Sequence, residues 1–293
     1  MVAWPDAVIQ LLSGLTAASI LFIVASGLTL VFGAMRVINM AHGSFYMYPA
    51  FILATVAGGT AGGDRFWVGL MAAVVLVTLL GGLVEVGVLR RIYDKEHLTQ
   101  LLATFALVYI FADLALQLWG GAYRSVPVPA GLDGQVEVFG RAFPVYNFFL
   151  IGLGVAVGTG LWLLLQRTTL GWQVRALVED PELLAAAGVN VRRVGTLAFM
   201  VGALLAALAG AARAPGITIA PGMDTEILVD AFIVAVIGGL GSVTGAALGA
   251  LIIGTFQAAG VLLAAEWSSA FIYLAMILVL IVRPSGLLGI PER

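Results

Sequence analysis

Val8-Ile-Gln-Leu-Leu-Ser-Gly-Leu-Thr-Ala-Ala-Ser-Ile-Leu-Phe-Ile-Val-Ala-Ser-Gly-Leu-Thr-Leu-Val-Phe-Gly-Ala34 carries no charged residue. It is longer than the roughly 20 apolar residues that an α-helix needs to cross a bilayer core of about 30 Å. The pattern recurs down the chain, at Gly43 to Ala57, Phe66 to Leu89, Leu98 to Trp119, Phe148 to Leu165, Val194 to Ala212, Ile227 to Leu240, Val243 to Ala264 and Ser268 to Val282. That makes about nine candidate spans. Hydrophobic residues make up 61% of the chain and charged residues 10%, where a soluble domain carries roughly 25% charged residues. Barrel strands would read as short alternating segments, so the spans are helical. The predicted fold class is all-α, a polytopic transmembrane helical bundle of about eight to nine spans, some short or broken, forming one domain over residues 1–293.

Composition also excludes. With no cysteine, disulfides, thiolate metal sites and cysteine nucleophiles are ruled out. A formal charge of −2 leaves no broad basic surface for nucleic acid. Asp6 and the lack of Lys or Arg before it give the first stretch no positive leader, so it reads as a retained span.

Positive residues favour the cytoplasmic side. Alternating the loops places Arg36, Arg90, Arg91, Lys95, Arg167, Arg175, Arg192, Arg193, Arg283 and Arg293 together, and leaves Arg65, Arg124, Arg141 and Arg213 opposite. This predicts an outside N-terminus and an inside C-terminus. Gly43 to Ala57 and Ile227 to Leu240 are short and sit beside glycine-rich breaks. Either reads as a broken or re-entrant helix, and both are kept as spans because dropping the second alone weakens the charge bias. Short or interrupted helices in two halves of a chain point to a transporter's substrate path.

Three polar or glycine-rich clusters stand out. The first, Arg36-Val-Ile-Asn-Met-Ala-His-Gly-Ser-Phe45, brings Asn39, His42 and Ser44 between two spans, either to cap the next helix or to line an aqueous path. Asp113 falls inside the fourth stretch, where an acid is costly, and Gln117 shares its face. With Thr104 and Gln257, these two are expected to mark the bundle's interior or cavity. Finally, Gly241, Gly245 and Gly249 are spaced four apart, as on one helix face, and Gly202, Ala206 and Gly210 repeat the device. Such spacing serves general helix packing or a tight interface near a path. Glu85 and Glu266 lie near span ends and are expected to snorkel.

Two stretches lie outside the lipid. The loop at about 120–147 contains Val126-Pro-Val-Pro-Ala-Gly131 and reads as a landing surface for a soluble protein or as a connector. A polar block at about 167–193 holds Glu179-Asp-Pro-Glu-Leu-Leu-Ala-Ala-Ala-Gly188, with Pro181 suited to a first helical position and Gly188 to a stop. It offers a docking knob, the alternative being a helix lying on lipid. Against the latter, Glu179, Asp180 and Glu182 would be repelled by an anionic leaflet. There is no phosphate-binding loop, and the lone lysine, Lys95, sits in Tyr93-Asp-Lys-Glu-His97. Energy therefore comes from an ion gradient or a borrowed ATPase.

Gly27-Leu-Thr-Leu-Val-Phe-Gly-Ala-Met-Arg-Val-Ile-Asn-Met-Ala-His-Gly-Ser-Phe-Tyr-Met47, Glu179 through Val191, and Val236-Ile-Gly-Gly-Leu-Gly-Ser-Val-Thr-Gly-Ala-Ala-Leu-Gly-Ala250 resemble, in order, the LivH-type permease of bacterial branched-chain amino-acid ABC importers, in the hydrophobic amino acid uptake family. The resemblance runs end to end. It implies a fold similar to type II-like ABC importer permeases and an inner-membrane location. The partners it implies are a LivM-like second permease, two cytoplasmic ABC ATPases and a periplasmic solute-binding protein, with membrane lipid around the bundle. ATP is used by the ATPases and no cofactor sits on this chain. Glu179, Asp180, Glu182, Ala186 and Gly188 match the family's coupling loop, although the Glu-Ala-Ala sequence of many importers is absent as such. Permeases for urea, short amides and other small neutral solutes look similar.

Two other classes fit less well. A gradient-driven carrier needs a titratable cluster at mid-membrane, whereas Asp113 stands alone in sequence. An intramembrane hydrolase needs an activated nucleophile, and Ser242 lacks a Gly-x-Ser-x-Gly setting.

Overall fold

The longest helix, α1 (Trp4–Met35), is the axis of the bundle and is buried along most of its length. The computed structural model describes residues 4–58, 65–263 and 265–289, so the expectations for Ala264 and Arg293 fall outside the described residues. After α1 come α2 (His42–Ala57), α3 (Phe66–Gly87), α4 (His97–Trp119), α5 (Val145–Arg167), α6 (Thr169–Glu179), α7 (Pro181–Ala186), α8 (Val191–Arg213), α9 (Met223–Gly238), α10 (Val243–Leu263) and α11 (Ser268–Val282). A small hairpin, β1 (Gln135–Val138) and β2 (Arg141–Pro144), pairs Gln135 with Pro144 and Val138 with Arg141. Among the described residues, six helices are long and apolar enough to cross a membrane.

Lipid gives helices no hydrophobic drive to associate, so close backbone approach has to hold this bundle together. Glycine permits it. Gly14 on α1 and Gly254 on α10 each lie against the other's carbonyl oxygen. Gly27 on α1 and Gly202 on α8 do the same: a Cβ on Gly27 would sit 2.7 Å from the Gly202 oxygen, and one on Gly202 3.0 Å from the Gly27 oxygen. Gly210 abuts the carbonyl of Tyr46 on α2.

The two short apolar stretches become short helices of a particular kind. His42, at the start of α2, bonds through Nε2 to the Val24 carbonyl at 3.1 Å. Val24 lies twenty residues from Trp4 and eleven from Met35, roughly 30 Å and 17 Å along α1. The chain therefore leaves the end of α1, climbs back as non-helical residues 36–41, and becomes helical only partway up. Such backbone is tolerated at depth where protein covers it, and Val37, Asn39 and Ala41 are buried. Helix α9 mirrors this. It begins beside α2, where the Ser44 hydroxyl donates to Asp224 Oδ2 at 3.1 Å and Gly43 abuts the Asp224 carbonyl. It ends at the level where Gly238 abuts Gly245. Its lead-in, residues 214–222, exchanges backbone hydrogen bonds between Ile219 and Arg124 of the long loop. Each short helix thus completes a crossing begun by irregular backbone.

The two ends of the bundle differ. At one, Asp6 pairs with Arg141 at 2.8 Å and Trp4 stacks edge-on against Phe139 of the hairpin turn. At the other, Leu30 and Ala34 of α1 pack with Val174 and Leu177 of α6, Leu184 of α7 and Val194 of α8. The segment after α11 joins that second end, Leu287 N–H donating to the Ile237 carbonyl at 2.9 Å.

One packing expectation is corrected. Gly241 does not share a helix face with Gly245 and Gly249, because α10 starts at Val243. Gly241 sits in the preceding turn with φ +86° and lies against Gly33 of α1. Ser242 accepts the Gly245 N–H at 3.0 Å, which closes the turn. Gly245 and Gly249 do pack together, against the Gly238 and Val234 carbonyls of α9.

Candidate functional site

The first candidate region is the junction of the two half-helices. Asn39 and His42 are each 1% exposed, as is Ser44. Asn39 turns its Oδ1 onto the Ala41 N–H at 3.1 Å, which shapes the turn before α2. The helix itself starts at Ala41 without a side-chain cap. Ser44 binds Asp224, so it is neither a cap nor an open polar wall. The Nδ2 of Asn39 and the Nδ1 of His42 have no partner among the described residues. Asp224, 2% exposed, is not marked out by the sequence, because it falls just before the apolar run beginning at Ile227.

Asp113 and Gln117 are placed differently from expectation. They are bonded to each other, Gln117 Nε2 donating to Asp113 Oδ2 at 2.6 Å, but both are exposed on the outer face of α4. The inner face of α4 belongs to Thr104, Leu107, Phe111 and Ala115. Thr104 is interior as expected and donates to the Ile38 carbonyl at 3.2 Å. Asp113, two residues beyond Phe111, is turned about 200° away from it at 3.6 residues per turn. With Phe105 and Tyr109 it forms a stripe of spacing four that the described residues leave uncovered.

The polar block folds into the knob α6–α7. Thr168 caps α6 by accepting the Gly171 N–H. Asp180 caps α7, its Oδ1 accepting the N–H groups of Glu182 at 3.0 Å and Leu183 at 2.9 Å. Pro181 takes the first helical position and Gly188 ends the turn at φ +82°. Glu179, Asp180, Glu182, Ala186 and Gly188 are all exposed. Leu183 is 67% exposed and Trp172 53%, whereas Leu184 is 3% exposed and anchors the knob to α1 and α8.

Behind the knob lies a charged network that the sequence did not reveal. Glu85 does not snorkel; it is 1% exposed. The turn Leu89–Arg91 folds Arg90 back onto it, with Nε donating to Oε1 at 3.3 Å and Nη2 to Oε2 at 3.0 Å. Arg90 also donates to Thr196 Oγ1 on α8, and Tyr93 donates to Glu85 Oε1 at 3.1 Å. Burial and the adjoining Glu85 carboxylate push the Tyr93 hydroxyl well above its ordinary range. One buried carboxylate thereby ties α3 to α8.

Residues 10–280 match the family model described as the permease component of branched-chain amino acid transport systems. The chain belongs to this family. The permease is 29% identical to the high-affinity branched-chain amino acid transport system permease protein LivH of Escherichia coli, over 97% of this chain and 96% of that protein. It is 30% identical to BraD of Pseudomonas aeruginosa, a protein of the same description, with the same coverage. To the probable LivH of Methanocaldococcus jannaschii it is 25% identical, over 93% of this chain and 90% of that protein. The permease is therefore a multi-pass membrane protein and a transport subunit.

Proposed function

We propose that the permease is a membrane subunit of a bacterial inner-membrane ABC importer for branched-chain or other hydrophobic amino acids, moving solute by alternating access. The observation that carries this reading is the knob α6–α7. It projects charged and apolar side chains outward, as a docking surface does, while Leu184 fastens it to α1 and α8, the helices at the centre of the bundle. Force applied there reaches the bundle without an intervening flexible loop. Arg36, Arg90 and Arg192 gather at the same end, which favours placing it in the cytoplasm and the Trp4 end outside.

The partners follow from what the chain leaves open. Two cytoplasmic ATPases bind and hydrolyse ATP and grip the knob, with Glu179, Glu182 and Ala186 at the contact; Asp180 and Gly188 hold its shape. A second, LivM-like permease covers the Asp113–Gln117 stripe, since a carboxylate facing hydrocarbon costs about 2.5–3.5 kcal/mol at the centre of a span. The solute path then runs between the two permeases along α4. A periplasmic binding protein lands on the 120–147 loop and supplies most of the solute selectivity. The relatives named for branched-chain amino acid transport support the substrate class.

The test is reconstitution in liposomes of the permease with its genomic neighbours. Leucine uptake should require ATP, both permeases and the binding protein. Uptake driven by a proton gradient without ATP would overturn the reading.

A further inference from the structure

A cavity of about 350 Å³ lies behind the knob, where α6 and α7 meet the ends of α1 and α3 and the start of α8. Pockets of a few hundred Å³ that combine an apolar wall with a few convergent polar groups are the usual form of a small-molecule site. This one has both. Leu177, Val178, Pro181 and Val191 supply an apolar wall, and Arg36, Arg192 and Asp94 supply charge. The Glu85–Arg90 pair also lines it but is already neutralised. Among the described residues Arg36, Arg192 and Asp94 form no ion pair. Arg36, moreover, holds φ +53°, a left-handed conformation that a non-glycine residue adopts at a cost and that is concentrated at functional sites.

We infer that this cavity binds one free amino acid with an apolar side chain, taken from the cytoplasm. The lining selects that chemistry. Two guanidinium groups receive a carboxylate, Asp94 receives an ammonium, and the apolar wall receives the side chain. Arg36, Arg192 and Asp94 are all solvent-exposed; a dianion leaves Asp94 facing like charge, an amine without a carboxylate faces the two arginines, and a sugar offers no charge to any of the three. The bound solute touches α6 and α7 on one side and α1, α3 and α8 on the other. It wedges between the knob and the ends of the bundle helices, and so displaces Glu179, Glu182 and Ala186 from the position at which the ATPase grips them. Internal amino acid therefore slows its own further uptake. This inference rests on the proposed importer reading for the identity of the solute and for the side on which the cavity opens.

The experiment uses the complete transporter in liposomes, with ATP inside, binding protein outside and radiolabelled leucine as the uptake probe. Preloading the lumen with unlabelled leucine at millimolar concentration should lower the initial rate about fivefold, the low end of ordinary coupling factors. Arg192→Gln and Asp94→Asn, both at exposed positions, should each transport at the wild-type rate from empty vesicles and lose most of the inhibition. Luminal glycerol at the same concentration should have no effect. An initial rate indifferent to luminal leucine, or inhibition that both variants retain in full, overturns the inference. Failure of leucine uptake from empty vesicles is a separate result, since it sinks the substrate reading and takes leucine with it as occupant of the cavity.

Discussion

Helices α1 and α4 are both long and apolar, yet they face opposite environments. The most apolar segment of α1 is 78% buried within the chain and that of α4 22%. Along α1, Gly14, Gly27 and Gly33 bring three other segments to backbone contact, whereas α4 presents Tyr109, Asp113 and Gln117 outward. The difference separates two jobs. A helix welded at its glycines moves only with its neighbours, so α1, α8 and α10 form the rigid body. A helix with an exposed polar stripe offers the face on which the proposed second permease would sit.

The largest effect is expected where the weld is broken. Gly245→Leu places a branched side chain into the Gly238 backbone, and no rotamer relieves an overlap at Cβ. Yield of the assembled complex, measured by co-purification, should fall to near zero, while Leu114→Ala on the outer face of α4 should leave it close to wild type. Normal yield for Gly245→Leu would show that close backbone contact between α10 and α9 is not what holds the bundle together.

Next comes the buried ion pair that ties α3 to α8. Glu85→Gln removes the charge that Arg90 folds back to meet. Breaking a buried pair on one side costs about 3–5 kcal/mol, and the partial exposure of Arg90, 31%, lowers this toward the bottom of that range. Thermal unfolding of the detergent-solubilised complex should shift down by several degrees. An unchanged midpoint would mean that the network carries no load.

The uncovered stripe gives a smaller and more selective effect. Asp113→Leu should insert and fold normally, since its removal relieves a carboxylate on the outer face, but uptake should fall about tenfold or more if that face meets the path and the second permease. Full uptake with normal assembly would assign α4 to lipid. The smallest effect is at the cap of α7, where Asp180→Ala should cost about 1 kcal/mol locally and loosen the knob. The readout is faster amide exchange at Glu182 and Leu183, with the bundle unchanged; protection identical to wild type would show that the cap contributes nothing.

The same comparison explains what was legible in the sequence. Continuous apolar runs revealed the spans, and the brevity of 43–57 and 227–240 already marked the two half-helices. In the polar block, Pro181 and Gly188 gave the bounds of α7 because backbone restriction is local chemistry. What escaped was orientation. When a helix is apolar all round, no stripe distinguishes the side facing protein from the side facing lipid, and the cost of a buried acid by itself points Asp113 to the wrong side. Spacing of four suggested a shared helix face for Gly241, but the left-handed φ of Gly239 and Gly241 builds a turn there instead. Glu85 and Arg90 are five apart, a spacing that no straight helix pairs, and only the turn at Leu89–Arg91 brings them together.

The account rests on the knob lying in the cytoplasm under an ATPase, and site-directed labelling tests this most directly. The chain has no cysteine, so Ala186→Cys gives a single reactive thiol at an exposed position of α7. A membrane-impermeant maleimide should label it in inverted vesicles stripped of the ATPases, fail to label it when the ATPases are restored, and fail in intact cells. Labelling in intact cells would place the knob outside and contradict the account.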